Sequence, residues 1–357
     1  MPYKTANGTV YDSGNFEAVM NDGLKHADYR GFEKRRAAAK TAGKLRGIGI
    51  ATYLEAGGGG NSKDQVSVEF APDGRMTLYA VTQASGQGHE TVFPQIVADA
   101  LDIASEHIHF HPMPPAADLI GNGTGGSRGA LGTGSVFHLL GRKLIALAQP
   151  HAAQKLGCPE NELRYSEGRY HAGDRSVGFM ELAASLGATK THPLNSIAEA
   201  TFGATFPNGC HIAEVEIDPE TGAATIESYV AVDDLGNVLN HTLVAGQVHG
   251  GVVQGAGQVF GEHAVYDPAT GQLLSGSFMD YFMPRANLLR DIAVYDHPVA
   301  TGANALGAKG VGEAGCSGSL PALVNAMVDA LRPLGIMHLD MPFTPHRVWR
   351  AIQATQK

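Results

Sequence analysis

Hydrophobic and polar positions change their period several times along the chain, which predicts a mixture of helices and strands. Apolar residues recur at helical spacing within 13–43, where we predict two helices and place the N-cap of the first at Ser13. Residues 45–54 are mostly apolar and predict a buried strand that leads into Glu55. Alternating polarity on both sides of a turn predicts a β-hairpin within 65–83.

The remainder of the chain continues this mixture of periods. A strand is predicted at 108–113 and a second hairpin at 210–234, and helical patterns cover 88–103, 135–155, 178–186, 244–262, 318–333 and a last segment opened by Thr344 and Pro345. Because strands and helices do not alternate strictly, the pattern indicates an α+β fold rather than a doubly wound sheet.

Composition narrows the class of protein. The chain has 357 residues, 43% hydrophobic and 17% charged, which predicts a large core and a weakly charged surface of the kind found on a subunit of a larger assembly. A net charge of -9 and the lack of a basic run disfavour a nucleic-acid partner. No apolar run is long enough for a membrane span, and the N-terminus does not resemble a signal peptide.

The cysteines are few and far apart. Cys158, Cys210 and Cys316 supply neither a zinc motif nor the four thiolates of an iron–sulfur cluster. Free thiols in small number favour a reducing compartment, and we therefore expect a cytoplasmic protein.

Glycine is over-represented, with 46 residues against a usual share of about 7%. One cluster is Ser85-Gly86-Gln87-Gly88, between a predicted strand and a predicted helix. Glycines there let backbone N–H groups and the helix N-terminus face an anion such as a phosphate, and Gln87 adds a side chain that both donates and accepts. A tight strand-to-helix turn is an equally good interpretation of the same pattern.

A second cluster spans 121–134, where half of the positions are glycine and Ser127 and Arg128 stand in the middle. Arginine can bind a phosphate through two N–H groups, and serine can donate to it. A flexible linker is the alternative, but it predicts neither the central arginine nor the helix that follows. We therefore favour anion binding.

A third cluster lies within 246–261 and lacks the full dinucleotide-binding fingerprint. Gln247 is a neutral polar group in this segment, and its small neighbours would let a helix pack very closely against a ligand or another helix. His249 is interpreted as a packed or hydrogen-bonded histidine, since no cluster of histidine and cysteine supports a metal site formed by side chains.

The fourth cluster contains Glu313, directly after Gly312 and before an apolar helical run. A carboxylate on a glycine turn can approach a bound reactant, although a surface acid ahead of a helix is the simpler interpretation. Together, the glycine loops before helices, the glutamines and this acid suit a large polyanionic cofactor held by backbone amides.

Five motifs in this order resemble the molybdenum hydroxylases, the family of xanthine dehydrogenase, aldehyde oxidoreductase and aerobic carbon monoxide dehydrogenase. They are QASGQGHETVFPQIVADALDI, GTGGSRG, VDDLGNVLN with GQVHGGVVQGAGQ, SFMDYFMP and GAKGVGEAG. The resemblance is to the large molybdopterin-binding subunit, from about Tyr11 to the last helix. It implies mixed sheets with packed helices, in which residues 1–60 complete a first molybdenum-binding domain and residues 61–357 form a second one of two α+β subdomains.

The resemblance also implies roles for individual residues. Glu313 matches the family's general base, and we expect it to be desolvated in a closed pocket. Ser85, Gly86, Gln87 and Gly88 match the loop at the pterin and its phosphates. Cofactor contacts are likewise implied for Ser127, Arg128, Gln247 and Gly312. No protein side chain is expected to bind the molybdenum, which the pterin dithiolene holds.

The family's reaction is the oxidative hydroxylation of an electron-poor carbon in an N-heterocycle, a purine or an aldehyde, with water as the oxygen source. Bacterial relatives usually carry the molybdopterin cytosine dinucleotide form of the cofactor. Electrons pass to [2Fe–2S] and FAD groups, which we expect on separate partner subunits of a heteromer or of a dimer of heteromers.

The chain also departs from the family. The family's large subunit is about twice as long, and its front half carries a phenylalanine–glycine motif and the residues that select the substrate. The cysteine loop typical of carbon monoxide oxidation is absent from this sequence. We expect a naturally split large subunit, as in nicotinate dehydrogenase, whose partner is the N-terminal half; a fragment of a longer chain is the other explanation. A non-catalytic structural or cofactor-holding subunit is the alternative function.

Overall fold

The helices of this computed structural model lie within the described residues, which are 1–58, 62–112, 118–187, 191–289 and 291–355. In chain order they are α1 Phe16–His26, α2 Phe32–Thr41, α3 His89–Leu101, α4 Gly134–Leu156, α5 Phe179–Leu186, α6 His241–Phe260, α7 Ala314–Leu331 and α8 Pro345–Ala354. No helix among these residues is both long and apolar enough to span a membrane.

The strands of the described part of the chain form four sheets. They are β1 Tyr3–Lys4, β2 Val10–Tyr11, β3 Leu45–Leu54, β4 Ser62–Phe70, β5 Met76–Ala80, β6 Ile108–Pro112, β7 Arg164–Ser166, β8 Arg169–Ala172, β9 Arg175–Gly178, β10 Ser196–Phe202, β11 Asn208–Ile217, β12 Ala224–Asp234 and β13 Ala293–Asp296. The sheet orders are β1-β2, β10-β4-β5-β6, β13-β12-β11-β3 and β7-β8-β9, with β5-β6 and β12-β13 parallel and the other pairs antiparallel. Mixed sheets with packed helices confirm the predicted fold class.

Three hydrophobic core clusters among the described residues hold two lobes together. The first lobe packs α3 and α4 against the sheet β10-β4-β5-β6, with Phe93, Phe137 and Leu78 fully buried. The second lobe packs α6, α7 and α8 with the sheet β13-β12-β11-β3, while α1 contacts β11 and β12. Burial of apolar side chains therefore stabilises each lobe separately.

The N-terminal segment belongs to the second lobe in its packing. Ten residues of β3 pair with β11, from Leu45 opposite Ile217 to Leu54 opposite Asn208. Segment 1–60 therefore shares a sheet with residues 208–234. The domain boundary expected at residue 60 stays a prediction.

Most predicted elements are confirmed, including both hairpins and the helices of 13–43. The cap at Ser13 is wrong, because α1 begins at Phe16 after Asn15, and the buried Ser13 hydroxyl has no partner among the described residues. Helix α7 begins at Ala314, directly after Glu313, rather than at residue 318. Thr344 does cap α8, and its hydroxyl accepts a hydrogen bond from the backbone N–H of Arg347.

Glycines allow α6, α7 and β3 to approach one another closely. A Cβ atom at Gly251 of α6 would lie 2.9 Å from Gly315 Cα and from the backbone nitrogen of Cys316 in α7. Gly49 of β3 leaves room in the same way for the backbone of Ala326. The prediction that small residues let this helix pack closely is confirmed for the helix–helix contact.

We predict that Gly49→Ala lowers the free energy of unfolding by about 3 kcal/mol, because the added methyl group overlaps the backbone of α7. Urea unfolding of the purified chain measures the change. The control is Gly250→Ala on α6, where a Cβ meets nothing within 4 Å; this change should be neutral or stabilise by up to about 1 kcal/mol. Equal midpoints for the two variants would contradict the close β3–α7 contact.

Candidate functional site

A cleft of about 490 Å³ collects the residues singled out in the sequence. Its volume lies within the range of about 300–1,000 Å³ that is usual for ligand sites. All of the predicted site residues except Gly88 line it: Ser85, Gly86, Gln87, Ser127, Arg128, Gln247, Gly312 and Glu313. The fold thus brings together three loops and helix α6, which are far apart in the sequence.

The loop between β5 and α3 contributes Ser85, Gly86 and Gln87. Gly86 and Gly88 have φ values of 99° and 82°, which strongly favour glycine. The Gln87 side-chain amide donates to the Gln83 carbonyl at 2.9 Å, and its oxygen accepts from the Ser85 N–H. Gln87 therefore closes its own loop, and Gly88 shapes the turn at the start of α3.

The loop over 121–134 is tied to its neighbours on two sides. The Thr124 hydroxyl donates to the Gln83 carbonyl at 2.7 Å, which joins this loop to the preceding one. Arg128 is buried, and its Nη2 donates to Asp64 Oδ1 at 3.1 Å. At least one N–H group of the predicted phosphate ligand Arg128 is thus used within the protein.

The loop before α7 is fixed by a buried ion pair. Lys309 Nζ lies 2.6 Å from Asp234 Oδ2, and both side chains are fully buried. Asp234 also accepts from the side chain of Asn208 and from the backbone N–H groups of Gly236 and Val299. Burying a charge is costly unless it is paired and hydrogen-bonded, and this pair meets both conditions.

Ser127 connects the two loops at the centre of the cleft. It has a φ of 52°, an uncommon value for a residue other than glycine. Its hydroxyl accepts from the Glu313 N–H at 3.0 Å and donates to Glu313 Oε2 at 2.9 Å. Gly310 makes this contact possible, because a Cβ at that position would collide with the Ser127 side chain.

Three α-helices begin at the cleft. His89, Asn240 and Glu313 line it, and they lie at the first residue of α3 and the N-caps of α6 and α7. Helix N-termini carry partial positive charge and unpaired N–H groups. Their convergence supports an anion site formed by backbone amides.

Gln247 lies in the second turn of α6, and Gly312 precedes Glu313 at the cleft. His249, on the same helix, donates its Nε2–H to the Ile292 carbonyl at 3.1 Å when that nitrogen carries the proton. This confirms a hydrogen-bonded role for His249.

Glu313 is solvent-exposed in this chain, so the described residues do not desolvate it. The desolvated acid is Glu55, which follows β3 and has two buried carboxylate oxygens. Burial and the neighbouring Glu313 raise the pKa of Glu55 to about 7, while Ser127 acts in the opposite direction. Glu313 at the cleft therefore has a second, buried carboxyl group beside it.

Sequence reasoning missed four residues at this site: Glu55, Asp64, His89 and Asp234. Glu55 had a usable signal, since it joins a buried strand to four glycines as Glu313 joins glycines to a helix. His89 is buried and lines the cleft, and its Nδ1 has no partner among the described residues. Burial lowers the pKa of His89, which favours the neutral imidazole.

The donor set suits an anionic organic group better than a bare metal ion. Among the described residues, no cluster of three histidine, cysteine, aspartate or glutamate side chains could hold a metal. Glycine loops, helix N-termini and the orphaned nitrogen of His89 instead offer neutral donors around the cleft. A molybdopterin fits this set, because it brings its own dithiolene ligands and needs the protein mainly at its pterin and phosphates.

Comparison with known proteins agrees with this chemistry. Residues 22–289 match the family model described as a molybdopterin cofactor-binding domain. The chain is 33% identical to the carbon monoxide dehydrogenase large chain of Hydrogenophaga pseudoflava, covering 99% of this chain and 46% of that one. It is 31% identical to the nicotine 6-hydroxylase large subunit of Paenarthrobacter nicotinovorans, covering 98% of this chain and 46% of that one.

Solved structures show the same relationship. Quinoline 2-oxidoreductase from Pseudomonas putida 86 has a TM-score of 0.88 with 27% identity, over 99% of this chain and 47% of that one. Carbon monoxide dehydrogenase from Oligotropha carboxidovorans has a TM-score of 0.89 with 29% identity, over 99% and 47%. The chain spans about half the length of these relatives.

We predict that Lys309→Met lowers the free energy of unfolding by about 3–5 kcal/mol, because it leaves Asp234 buried without its cation. Urea unfolding at neutral pH measures the loss. Lys155→Met is the control, since Lys155 and Glu181 are both partly exposed and 3.5 Å apart; it should cost less than about 1 kcal/mol. A loss of that small size for Lys309→Met would show that the buried pair does not hold the loop.

Proposed function

We propose a function from one premise: this chain belongs to the molybdopterin cofactor-binding domain family. It is the C-terminal half of the large subunit of a molybdenum hydroxylase. The enzyme oxidatively hydroxylates an electron-poor carbon in an N-heterocycle, a purine or an aldehyde, with water as the oxygen source. The chain spans only 46% of the length of these two large subunits. The activity of the complete enzyme is therefore part of the proposal.

One observation carries this proposal: the carboxylate of Glu313 is held at the cleft by Ser127. The serine hydroxyl bridges the backbone N–H and the carboxylate of the same residue. A general base must be kept within reach of the proton that it takes, and this contact restricts the directions in which the carboxylate can point. We assign the role of general base to Glu313.

The bound cofactor supplies the redox chemistry, and the protein binds, orients and moves protons. We assign the pterin and phosphate contacts to the backbone of Ser85, Gly86, Gln87 and Gly88. Ser127, Arg128, Gln247 and Gly312 are assigned to the cofactor on their side of the cleft. Three helix N-termini supply the positive potential that an anionic dinucleotide needs.

The finer assignments follow from the resemblance. The cofactor is the molybdopterin cytosine dinucleotide form. The partners are the N-terminal half of the large subunit, an iron–sulfur subunit with [2Fe–2S] clusters and an FAD subunit, assembled in the cytoplasm. Exposed apolar side chains on the SFMDYFMP segment, such as Phe278 and Met279, support burial in such an assembly.

A non-catalytic cofactor-holding subunit would need the loops but not the fixed carboxylate. Ser127 keeps an unusual φ of 52° while it holds Glu313, and backbone strain of this kind is concentrated at functional sites. This observation favours the catalytic subunit.

We predict about one molybdenum per chain in the complex purified with its partner subunits, because binding and assembly stabilise each other. Metal analysis measures the content, and mass analysis of the extracted pterin identifies the dinucleotide. The chain produced alone is the control and should hold much less molybdenum. An active complex without molybdenum or pterin would contradict the proposed function.

We predict that Glu313→Gln leaves the molybdenum content unchanged and lowers turnover by about 10²- to 10⁴-fold, because the amide cannot accept the proton. Metal analysis and steady-state oxidation of the enzyme's substrate measure the two effects. Glu220→Gln is the control, since Glu220 is an exposed acid in the turn between β11 and β12. Near-normal turnover of Glu313→Gln would place the base on another residue.

A further inference from the structure

Glu55 is a buried acid that the proposed mechanism does not use. The segment around it is fixed, because the Glu55 N–H donates to the Pro207 carbonyl at 2.9 Å and Gly57 exchanges two backbone hydrogen bonds with Thr205. The carboxyl group lies beside Glu313 and Ser127. The backbone position of Glu55 is therefore set by the segment between β10 and β11.

The surroundings of Glu55 do not suit a carboxylate anion. Both of its oxygens are buried, and neither makes a hydrogen bond of regular geometry with a described residue. The two cations of the cleft, Arg128 and Lys309, form ion pairs with Asp64 and Asp234. An unpaired buried charge is costly, and a buried acid avoids that cost by staying protonated.

Ser127 makes the two acids unequal. A hydroxyl has one proton, and that of Ser127 is donated to Glu313 Oε2. Glu313 also stands at the N-cap of α7, where a negative charge is stabilised, and it is exposed to water. Ionisation is thus disfavoured at the buried Glu55, whereas the surroundings of Glu313 accommodate a carboxylate.

We propose that Glu55 and Glu313 form a carboxyl pair that holds one proton at rest, with the proton on Glu55 and the negative charge on Glu313. Glu55 is a positioning residue that acts through Glu313. When Glu55 is neutral, the base Glu313 carries its negative charge with no second negative charge beside it. Two adjacent carboxylates in a buried setting do not both ionise readily. The inference rests on the proposed function only for the role of Glu313 as the base.

The described groups around Glu55 are Glu313 from the loop before α7, Ser127 from the 121–134 loop and Tyr53 from β3, whose hydroxyl donates to Asp233. Of these groups, Ser127 lowers the pKa of this acid, and burial outweighs that effect. Burial first, and then the charge of Glu313, raise the pKa of Glu55 to about 7. Glu55 therefore loses its proton near neutral pH, and the two acids then no longer differ in protonation.

The test is an infrared titration of the full chain, in complex with its partners and labelled with ¹³C-glutamate. We expect the signal of a protonated glutamic acid to be present at about pH 6 and to disappear with a midpoint near 7. Glu55→Gln should abolish this signal. Glu313→Gln should keep it and lower its midpoint, because the adjacent negative charge is gone.

The pair also makes a prediction for stability. Folding raises the pKa of Glu55 from 4.5 to about 7, so the stability from this shift is fully present below about pH 4.5 and is lost progressively as pH rises to about 7. Tm of the wild type should fall between about pH 4.5 and pH 7, and Tm of Glu55→Gln should fall less over the same range. If Glu55→Gln does not fold, the midpoint shift in Glu313→Gln still tests the pair.

Glu220→Gln is the matched control and should change neither the infrared signal nor the pH dependence of Tm. A signal that is absent at about pH 6, or that survives in Glu55→Gln, overturns the proposal. These readouts need no bound cofactor. A complex with molybdenum but without the signal would refute the carboxyl pair alone, whereas the signal without molybdenum or pterin would refute the proposed function alone.

Discussion

The buried ion pair of Lys309 and Asp234 is the contact on which the geometry of the cleft depends. Asp234 ends β12, and Lys309 lies four residues before Glu313. The pair joins the sheet of the second lobe to the loop that carries the candidate base. Because a buried charge tolerates only an arrangement that satisfies its hydrogen bonds, we infer that this pair specifies one position for the loop. The Lys309 N–H, which donates to the Leu235 carbonyl at 2.8 Å, adds a backbone contact to the same junction.

Glycine extends this fixed position to the rest of the cleft. Gly310 brings the loop onto Ser127, which carries the constraint into the 121–134 loop of the first lobe. Gly315 brings the start of α7 against Gly251 of α6, and so places Gln247 on the neighbouring wall. A methyl group at Gly310, Gly315 or Gly251 would overlap the facing backbone or side chain and push the two elements apart. The glycine content that stood out in the sequence is therefore a packing requirement as well as a feature of anion loops.

The sequence predicted what depends on local pattern. Periodicity located β3, both hairpins and α8, and the glycine loops were identified because each precedes a helix. The partners across the fold could not be predicted, since nothing near Arg128 indicates that Asp64 will pair with it. Glu55 was missed although it follows a predicted buried strand, because its neighbours Ser127 and Glu313 are distant in the chain. The cap at Ser13 is wrong because α1 begins three residues later, at Phe16, and the Ser13 hydroxyl is buried away from the helix N–H groups.

The ion pairs of Arg128 and Lys309 also explain how Glu313 and an anionic ligand can occupy the same cleft. A free lysine or arginine at this site would form ion pairs with Glu313 and Glu55, and the carboxylate would then be a poorer base. Asp64 and Asp234 instead hold Arg128 and Lys309 on the inner side of the loops. The anion is left to backbone N–H groups, whose partial charges are fixed in direction and cannot migrate to a carboxylate. Glu313 then has Ser127 as its described hydrogen-bond partner, and its remaining oxygen stays available to accept a proton.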